Sequence, residues 1–460
     1  MALIKSISGI RGTIGGTIGE NLTPQDIVNS AAGYGTWVLQ KNTKPTIVLG
    51  RDARISGQLV SHLVIATLRM LGISVIDLGL STTPTVEIAV VAEKADGGII
   101  LTASHNPKEW NALKLLNDKG EFISAKDGQD ILNFIDNGDI QYAPIDKLGT
   151  LRIDNGYIEK HIKQILDLPL VDIPTIQNRG FKIVVDCINS TGALAIPSLL
   201  EKLGCEVTLI NAEPNGKFAH NPEPLPANLS TLSRIVLDKK ADLGIAVDPD
   251  VDRLAFVCED GEMFGEEYTL VAIADYVLKH QVGNTVSNLS STRALRDVTE
   301  KHGGVYHAAA VGEVNVVAKM KECGAIIGGE GNGGVIYPDY HYGRDALVGI
   351  ALFLSHLAIY GKNVSFLRNT YPRYTISKNK IKLTPDINIE HLLDKLQNKY
   401  QNYPHSTIDG LKIELDKDWI HLRKSNTEPI IRLYTESTSE VVASNLAKKI
   451  QMDIHEILKG

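Results

Sequence analysis

Ala95-Asp96-Gly97-Gly98-Ile99 and Ala241-Asp242-Leu243-Gly244-Ile245 can be laid over each other, and Gly324-Ala325-Ile326-Ile327 has the same small-then-apolar character. Each is a short apolar run punctuated by glycine, the pattern of a buried strand, and each leads into an unusual loop. On the first overlay Ser104 falls opposite Asp250. Around these runs, strand and helix patterns alternate. Thr46–Gly50, Ile73–Leu78 and Gly98–Leu101 read as strands, with helices over Gln58–Leu71 and Pro84–Lys94. Thr23 caps a helix that opens at Pro24. The alternation then restarts through strands Lys182–Asp186, Val207–Ile210 and Leu243–Val247, with helices Ala193–Leu203 and Leu229–Lys239. It restarts again through strands Thr285–Leu289, Val305–Ala309 and Ala325–Gly328, with helices Ala294–His302 and Val314–Glu322. Such alternation argues for parallel sheets covered by helices, and three recurrences argue for internal triplication.

From about Tyr371 the pattern changes to strands with a helix over Ile389–Tyr400 and a last helix over Val441–Leu458. The fold class is therefore α/β: three similar domains with mixed or parallel sheets, followed by a smaller C-terminal α+β domain. The expected boundaries are 1–155, 156–254, 255–368 and 369–460, with a hinge near Asn369–Pro372. A chain of 460 residues is too long for one core. The net charge of −7 argues against a nucleic-acid partner, which usually meets a basic face. No apolar stretch reaches the roughly 20 residues of a membrane span, so no membrane partner is expected. Cys187, Cys205, Cys258 and Cys323 lie far apart with no CxxC pair. With MALIKSISGIRGTIGG too poor in apolar residues for a secretory leader, the expectation is a reducing cytoplasm.

Four loops carry chemistry. In Thr102-Ala103-Ser104-His105-Asn106-Pro107, a serine just past a buried strand suits a nucleophile or phosphoryl acceptor and is expected to be exposed. A plain turn is the bland alternative. His105 is adjacent to Ser104, a spacing that seldom gives general-base geometry, and there is no GxSxG elbow. In Asp248-Pro249-Asp250-Val251-Asp252-Arg253, three carboxylates at alternate positions converge if the backbone curls, and hard oxygen ligands suit Mg²⁺. An EF-hand would need glycine where Arg253 stands, and strands flank the loop, so calcium is disfavoured. Gly328-Gly329-Glu330-Gly331-Asn332-Gly333-Gly334 has no nucleotide-loop context, and Glu330 suits sugar hydroxyls better than phosphate. Arg423-Lys424-Ser425-Asn426-Thr427-Glu428-Pro429, with Arg432 beyond, offers many donors for a phosphate.

In this order and spacing the four loops resemble those of the α-D-phosphohexomutase family, over essentially the whole chain. The resemblance implies four domains around a central cleft. It implies a phosphorylated Ser104 that passes its phosphoryl group to a hexose monophosphate and recovers the other phosphoryl from the hexose 1,6-bisphosphate intermediate. One Mg²⁺ would be held by Asp248, Asp250, Asp252 and an oxygen on Ser104. Arg253 would steady the serine phosphate, and Glu330 and Asn332 would touch sugar hydroxyls. Arg423, Ser425, Asn426 and Thr427, with Arg432, would hold the other phosphate. Arg11, in Ser8-Gly9-Ile10-Arg11-Gly12, matches the family's N-terminal arginine, and Lys114 matches a lysine thought to move a proton. His105 completes the catalytic candidates.

Many relatives carry Glu-x-Ser-x-His in the sugar loop, where this chain has Asn332 and Gly334. Lys114 is then the first choice of general base, a role that needs its pKa lowered. The loop Gly312-Glu313-Val314, which helps choose the sugar, also departs from the family's frequent Gly-His or Gly-Asp. The leading expectation is a phosphoglucosamine mutase, acting on a small hexose phosphate as a monomer or homodimer. A phosphomannomutase or phosphoglucomutase is the alternative. A silent sugar-phosphate binder would need neither Ser104 nor the aspartates, and a phosphatase would release inorganic phosphate.

Overall fold

The computed structural model describes residues 3–6, 9–382, 388–425 and 430–459. The chain packs as two compact units, Met1–Thr269 with Asn332–Arg368, and Leu270–Gly331 with Asn369–Gly460.

The first unit begins with a seven-stranded sheet. Its middle is parallel: Thr46–Arg51 lies between Ser74–Leu80 and Gly97–Leu101, and Leu151–Ile153 extends the Ser74 side. Ile47 and Leu49 pack into a core with Trp37, Val64 and Leu68, whereas Val48 faces Val86, Val90 and Ile100 on the other side. Both faces of the central strand are thus buried, as expected where helices cover a parallel sheet. Each such side chain contributes about 1.5–3 kcal/mol of burial free energy. The other edge is antiparallel: Trp110–Leu116 returns against Gly97–Leu101, then Gly9–Thr13 and Leu3–Ser6 follow. Sequence alternation did not show these three strands. Gly9 has φ 131°, and a Cβ there would lie 2.3 Å from the Leu113 carbonyl oxygen, so glycine permits the close approach.

A second sheet in this unit has the order Leu254–Cys258, Leu243–Val247, Lys182–Asp186, Glu206–Ile210, parallel except for the first pair. The expected strand ends hold to within a residue or two. The helix expected over Pro84–Lys94 spans Thr83–Ala92, because Lys94 turns left-handed with φ 51°. The helix Ala346–Tyr360 is buried almost all round, which explains its lack of a polar face. Among the described residues no helix is long and apolar enough to cross a membrane.

In the second unit, Asn284–Asn288 pairs in parallel with Tyr306–Ala309 and Ala325–Glu330. A five-stranded antiparallel sheet follows in the order Thr375–Lys382, Ile430–Ser437, Asp418–Lys424, Leu411–Leu415, His405–Ser406. Leu392 and Leu396 from one helix and Ala447 and Ile450 from another bury its Ile420, Leu422, Ile431 and Leu433.

The helix Pro24–Leu39 begins as its sequence indicates, with Thr23 accepting from the Asp26 amide and the Asp26 side chain accepting from the Thr23 amide. Thr23→Ala removes this reciprocal cap, and chemical denaturation should show a loss of about 1 kcal/mol with unchanged activity.

Candidate active site

Ser104 sits on the turn between Gly97–Leu101 and its antiparallel partner Trp110–Leu116. One buried arginine fixes that turn. Arg54 Nη2 donates to the carbonyls of Ser104 (2.6 Å) and Asn106 (2.7 Å), and Nη1 donates to those of Pro107 (2.7 Å) and Trp110 (2.9 Å). Its Nε donates to Asp52 at 3.0 Å. Asp52 in turn accepts from the Thr102 hydroxyl at 2.7 Å, and Thr102 Oγ1 accepts from the Ser104 amide at 2.9 Å. Ser104 is thereby held at φ 48°, a left-handed conformation uncommon for serine. The expectation that Ser104 is exposed is corrected: it is only 7% exposed. The reason is the acidic hairpin, whose Asp248 Oδ2 accepts from the Ser104 hydroxyl at 2.6 Å.

That hairpin joins Leu243–Val247 to Leu254–Cys258. The curl required to bring its carboxylates together occurs at Val251, with φ 62°, while Asp248 Oδ1 accepts from the amides of Asp252 and Arg253, each at 3.1 Å. Asp248, Asp250 and Asp252 are fully buried and offer oxygens within 4.8 Å of one another. Around them, Thr83 Oγ1 donates to Asp250 Oδ2 at 2.5 Å, and Lys114 Nζ lies 2.6 Å from Asp250 and 3.3 Å from Asp252. Arg344 Nη2 donates to Asp252 Oδ2 at 2.6 Å. Arg253 Nε stands 4.0 Å from both Asp248 and Asp252, and its Nη1 donates to Glu223 at 3.2 Å.

Burial and the two neighbouring carboxylates push Asp248 well above the usual carboxylate range. Burial acts the same way on Asp252, but Arg344, Lys114 and Arg253 outweigh it and hold that carboxyl below its ordinary value. Asp250 Oδ1 and Asp252 Oδ1 are buried without a hydrogen-bond partner among the described residues. Crowded all-oxygen donors with unsatisfied lone pairs fit a hard divalent cation, so this triad could bind a metal.

Ser104, His105, Arg11, Lys114, Arg253 and Arg344 line one cavity. The sheet puts Arg11 and Lys114 on one face, since Gly9 pairs with Lys114 and Arg11 with Ala112 two residues away. His105 Nδ1 is 3.4 Å from Ser104 Oγ, a weak contact. Desolvation, then Arg253, holds the His105 ring well below its ordinary pKa, which keeps it neutral. The lowered pKa that a general-base Lys114 would need is not found here. Burial lowers it, but Asp250 and Asp252 together outweigh burial and raise it, so Lys114 is a cation in this arrangement. Sequence reasoning missed Arg54, Thr83, Glu223 and Arg344. The only local signals were Asp52-x-Arg54 after a strand and Arg344 just before the helix-capping Asp345.

The remaining candidates are not among the residues that line this cavity. Asn332 belongs to the first unit, where its Oδ1 accepts from the Gly334 amide at 3.1 Å. Glu330 is buried in the second unit, and its Oε1 accepts from Asn288 Nδ2 (2.9 Å) and the Gly312 amide (3.1 Å). Arg423 and Arg432 face each other across adjacent strands, and the Ser425 amide donates to the Ile430 carbonyl at 3.0 Å. Asn426 and Thr427 lie outside the described residues.

Comparison with known proteins shows the family. Models of the phosphoglucomutase/phosphomannomutase alpha/beta/alpha domains I, II and III match residues 3–141, 156–261 and 265–374, and that of the C-terminal domain matches 380–451. A phosphoglucomutase/phosphomannomutase of Thermococcus kodakarensis is 35% identical, with 98% of this chain and 99% of the relative covered. A phosphoglucosamine/phosphogalactosamine mutase of Sulfurisphaera tokodaii is 32% identical, with the same 98% and 99% covered. The crystal structure of a phosphoglucomutase/phosphomannomutase family protein from Burkholderia thailandensis superposes with a TM-score of 0.84 at 27% identity, covering 99% of this chain and 97% of that one.

Arg54→Lys keeps the charge but loses the planar fork that reaches four carbonyls. Thermal and denaturant unfolding should show a loss of roughly 3 kcal/mol, given hydrogen bonds to a charged group worth about 1.5–3 kcal/mol each. Turnover should fall while the KM for substrate changes little, because the serine turn is loosened.

Proposed function

The chain belongs to the α-D-phosphohexomutase family and is a hexose-phosphate mutase, and on that footing we propose that Ser104 is its phosphoryl carrier and glucosamine phosphate its substrate. The observation that carries the proposal is the 2.6 Å contact from the Ser104 hydroxyl to Asp248, inside a cluster of three buried carboxylates. In the forward reaction the phosphoserine P–O bond breaks as a bond forms to the free hydroxyl of glucosamine 6-phosphate, whose proton ends on the serine oxygen. The bisphosphate turns over in place, and Ser104 recovers the phosphoryl from the other end, leaving glucosamine 1-phosphate. Asp248, Asp250, Asp252 and the serine phosphate would hold one Mg²⁺, whose contribution is positive charge against the phosphoryl oxygens.

Phosphoryl transfer needs mainly positioning and charge, which this chain's residues supply. Arg11, Lys114 and Arg253 bring cations to the cavity that Ser104 lines. Glu330 and Asn332 are assigned to sugar hydroxyls. Arg423, Ser425, Asn426, Thr427 and Arg432 are assigned to the phosphate that does not react. Hydroxyl donors suit the acceptor-only carboxylate of Glu330, and guanidinium forks suit a phosphate.

The second reading, glucose or mannose phosphate as substrate, is favoured by the name of the Thermococcus kodakarensis relative. A coupled assay over glucosamine, glucose and mannose 1-phosphates separates the two. Glucosamine 1-phosphate should give the highest kcat/KM, and a lower value than either other sugar would exclude it as the preferred substrate.

Ser104→Ala should abolish mutase turnover and the one added phosphoryl seen by intact mass after incubation with hexose 1,6-bisphosphate. Full activity in that variant would remove the carrier role. Asp250→Asn should lower kcat by about 100-fold or more with an unchanged melting temperature, as for loss of a major charge-stabilising group. Wild-type turnover in Asp250→Asn, with Mg²⁺ still required, would remove the metal assignment.

A further inference from the structure

We propose that Arg344 contacts the phosphoryl group in flight, and that position 334 is glycine because the Arg344 side chain occupies the space beside it. The proposal rests on the mutase reading. Arg344 lines the same cavity as Ser104, Arg11, Lys114 and Arg253. Its Nη2 is anchored on Asp252 Oδ2 at 2.6 Å, which fixes one edge of a planar group with five N–H donors. Four cations, Arg11, Lys114, Arg253 and Arg344, then face three carboxylates, Asp248, Asp250 and Asp252. Glu223 accepts from Arg253 Nη1 at 3.2 Å beside the triad, and a dianionic phosphoryl group entering this cavity meets guanidinium and ammonium groups already positioned around the aspartates.

The backbone of Arg344 is fixed from both sides. Its neighbour Asp345 donates its amide to the Val335 carbonyl at 2.8 Å, and Ala346 donates to the carbonyl of Val251 in the acidic hairpin at 3.2 Å. Asp345 caps the helix Ala346–Tyr360 through the Leu347 and Val348 amides, and its Oδ2 lies 2.9 Å from His161 Nε2 and 3.1 Å from His341 Nε2. The side chain then passes directly over Gly334. A Cβ at 334 would lie 2.3 Å from Arg344 Cδ and 3.1 Å from its Cγ. Gly334 has no left-handed φ, so the backbone alone does not demand glycine there. The space for Arg344 does.

In the transfer step a P–O bond to the sugar breaks as the Ser104 Oγ–P bond forms, and the serine proton passes to the sugar oxygen. Arg344 donates to the phosphoryl oxygens during that exchange. Had it only the role of counter-ion to Asp252, it would act through metal affinity alone.

The full-length protein is tested as wild type, Arg344→Met, Arg344→Lys and Gly334→Ala, with the hexose phosphate that wild type turns over best. Each variant is titrated with Mg²⁺, and Ser104 phosphorylation by hexose 1,6-bisphosphate is timed by intact mass. At saturating Mg²⁺, Arg344→Met should slow both kcat and Ser104 phosphorylation by about 100-fold. Arg344→Lys should recover part of the rate, and Gly334→Ala should fall between. If Arg344→Met needs more Mg²⁺ but reaches the wild-type rate once saturated, the phosphoryl contact is wrong. If Arg344→Met lacks a cooperative melt, the other two variants decide: wild-type rates in both overturn the proposal. A wild-type protein inert toward every hexose phosphate would overturn the mutase reading itself, a result visible without any variant.

Discussion

Three carboxylates share one buried pocket, and nearly every feature of the site follows from the need to hold them there. At 4 Å and an effective dielectric of about 20, two like charges repel by roughly 4 kcal/mol, and desolvation adds to that cost. Asp248, Asp250 and Asp252 have no access to solvent, so protein groups must offset both effects. Lys114 is delivered by an antiparallel strand of the first sheet, Thr83 by the start of a helix, and Arg344 by the position just before the cap of a buried helix. The two sheets and the apolar helix are arranged so that their ends supply these partners. Packing creates the pocket, and charge decides which residues end there.

The second constraint is backbone shape. Ser104 and Val251 both adopt left-handed conformations, each at a cost of order 1–2 kcal/mol for a residue with a Cβ. Valine is an especially poor choice for such a position, since its branched Cβ crowds the carbonyl. The strain persists because the surroundings over-determine it. At Ser104 the Arg54 fork and the Thr102 bond fix the turn. At Val251 two amides from the next residues converge on Asp248 Oδ1, and the Val251 carbonyl accepts from Ala346. Charge-assisted bonds of about 1.5–3 kcal/mol exceed the local strain. These two strained points are also the two places where the hydroxyl and the carboxylates must meet.

The fold was legible wherever a period of apolar residues met a turn residue. Strands such as Lys182–Asp186 and Leu243–Val247 matched their sequence pattern residue for residue. Strands such as Gly9–Thr13 were not legible, because Gly-Ile-Arg-Gly-Thr has no clean alternation and its place in the sheet is set by Trp110–Leu116, about 100 residues away. The four loops were readable as chemistry because Ser, Asp and Arg stand in compact patterns. Their supports were not. Arg54 meets the carbonyls of residues 50 or more positions away, and Lys114 meets Asp250 at a separation of 136. No local window contains such pairs. The same distance hides the charge on Lys114: burial of a lysine lowers its pKa, and only the assembled pocket reveals the two carboxylates that raise it.

The kinds of cation chosen follow the shape of what each must meet. Arg54 faces several carbonyl oxygens spread along a turn, and only a planar guanidinium can present five donors in fixed directions to them. A lysine there would satisfy part of the set and leave buried carbonyls unpaired. Lys114 faces two carboxylate oxygens close together, at 2.6 and 3.3 Å, where a compact point charge suffices. On the strand Trp110–Leu116 its side chain also lies beside Phe122, with Nζ 5.7 Å from the ring centroid. Arg344 differs from both: it is anchored at one edge on Asp252 while its stem fills the place a side chain at 334 would take. A rigid fork held by one edge leaves its direction defined, which is the property a site needs when charge moves across it.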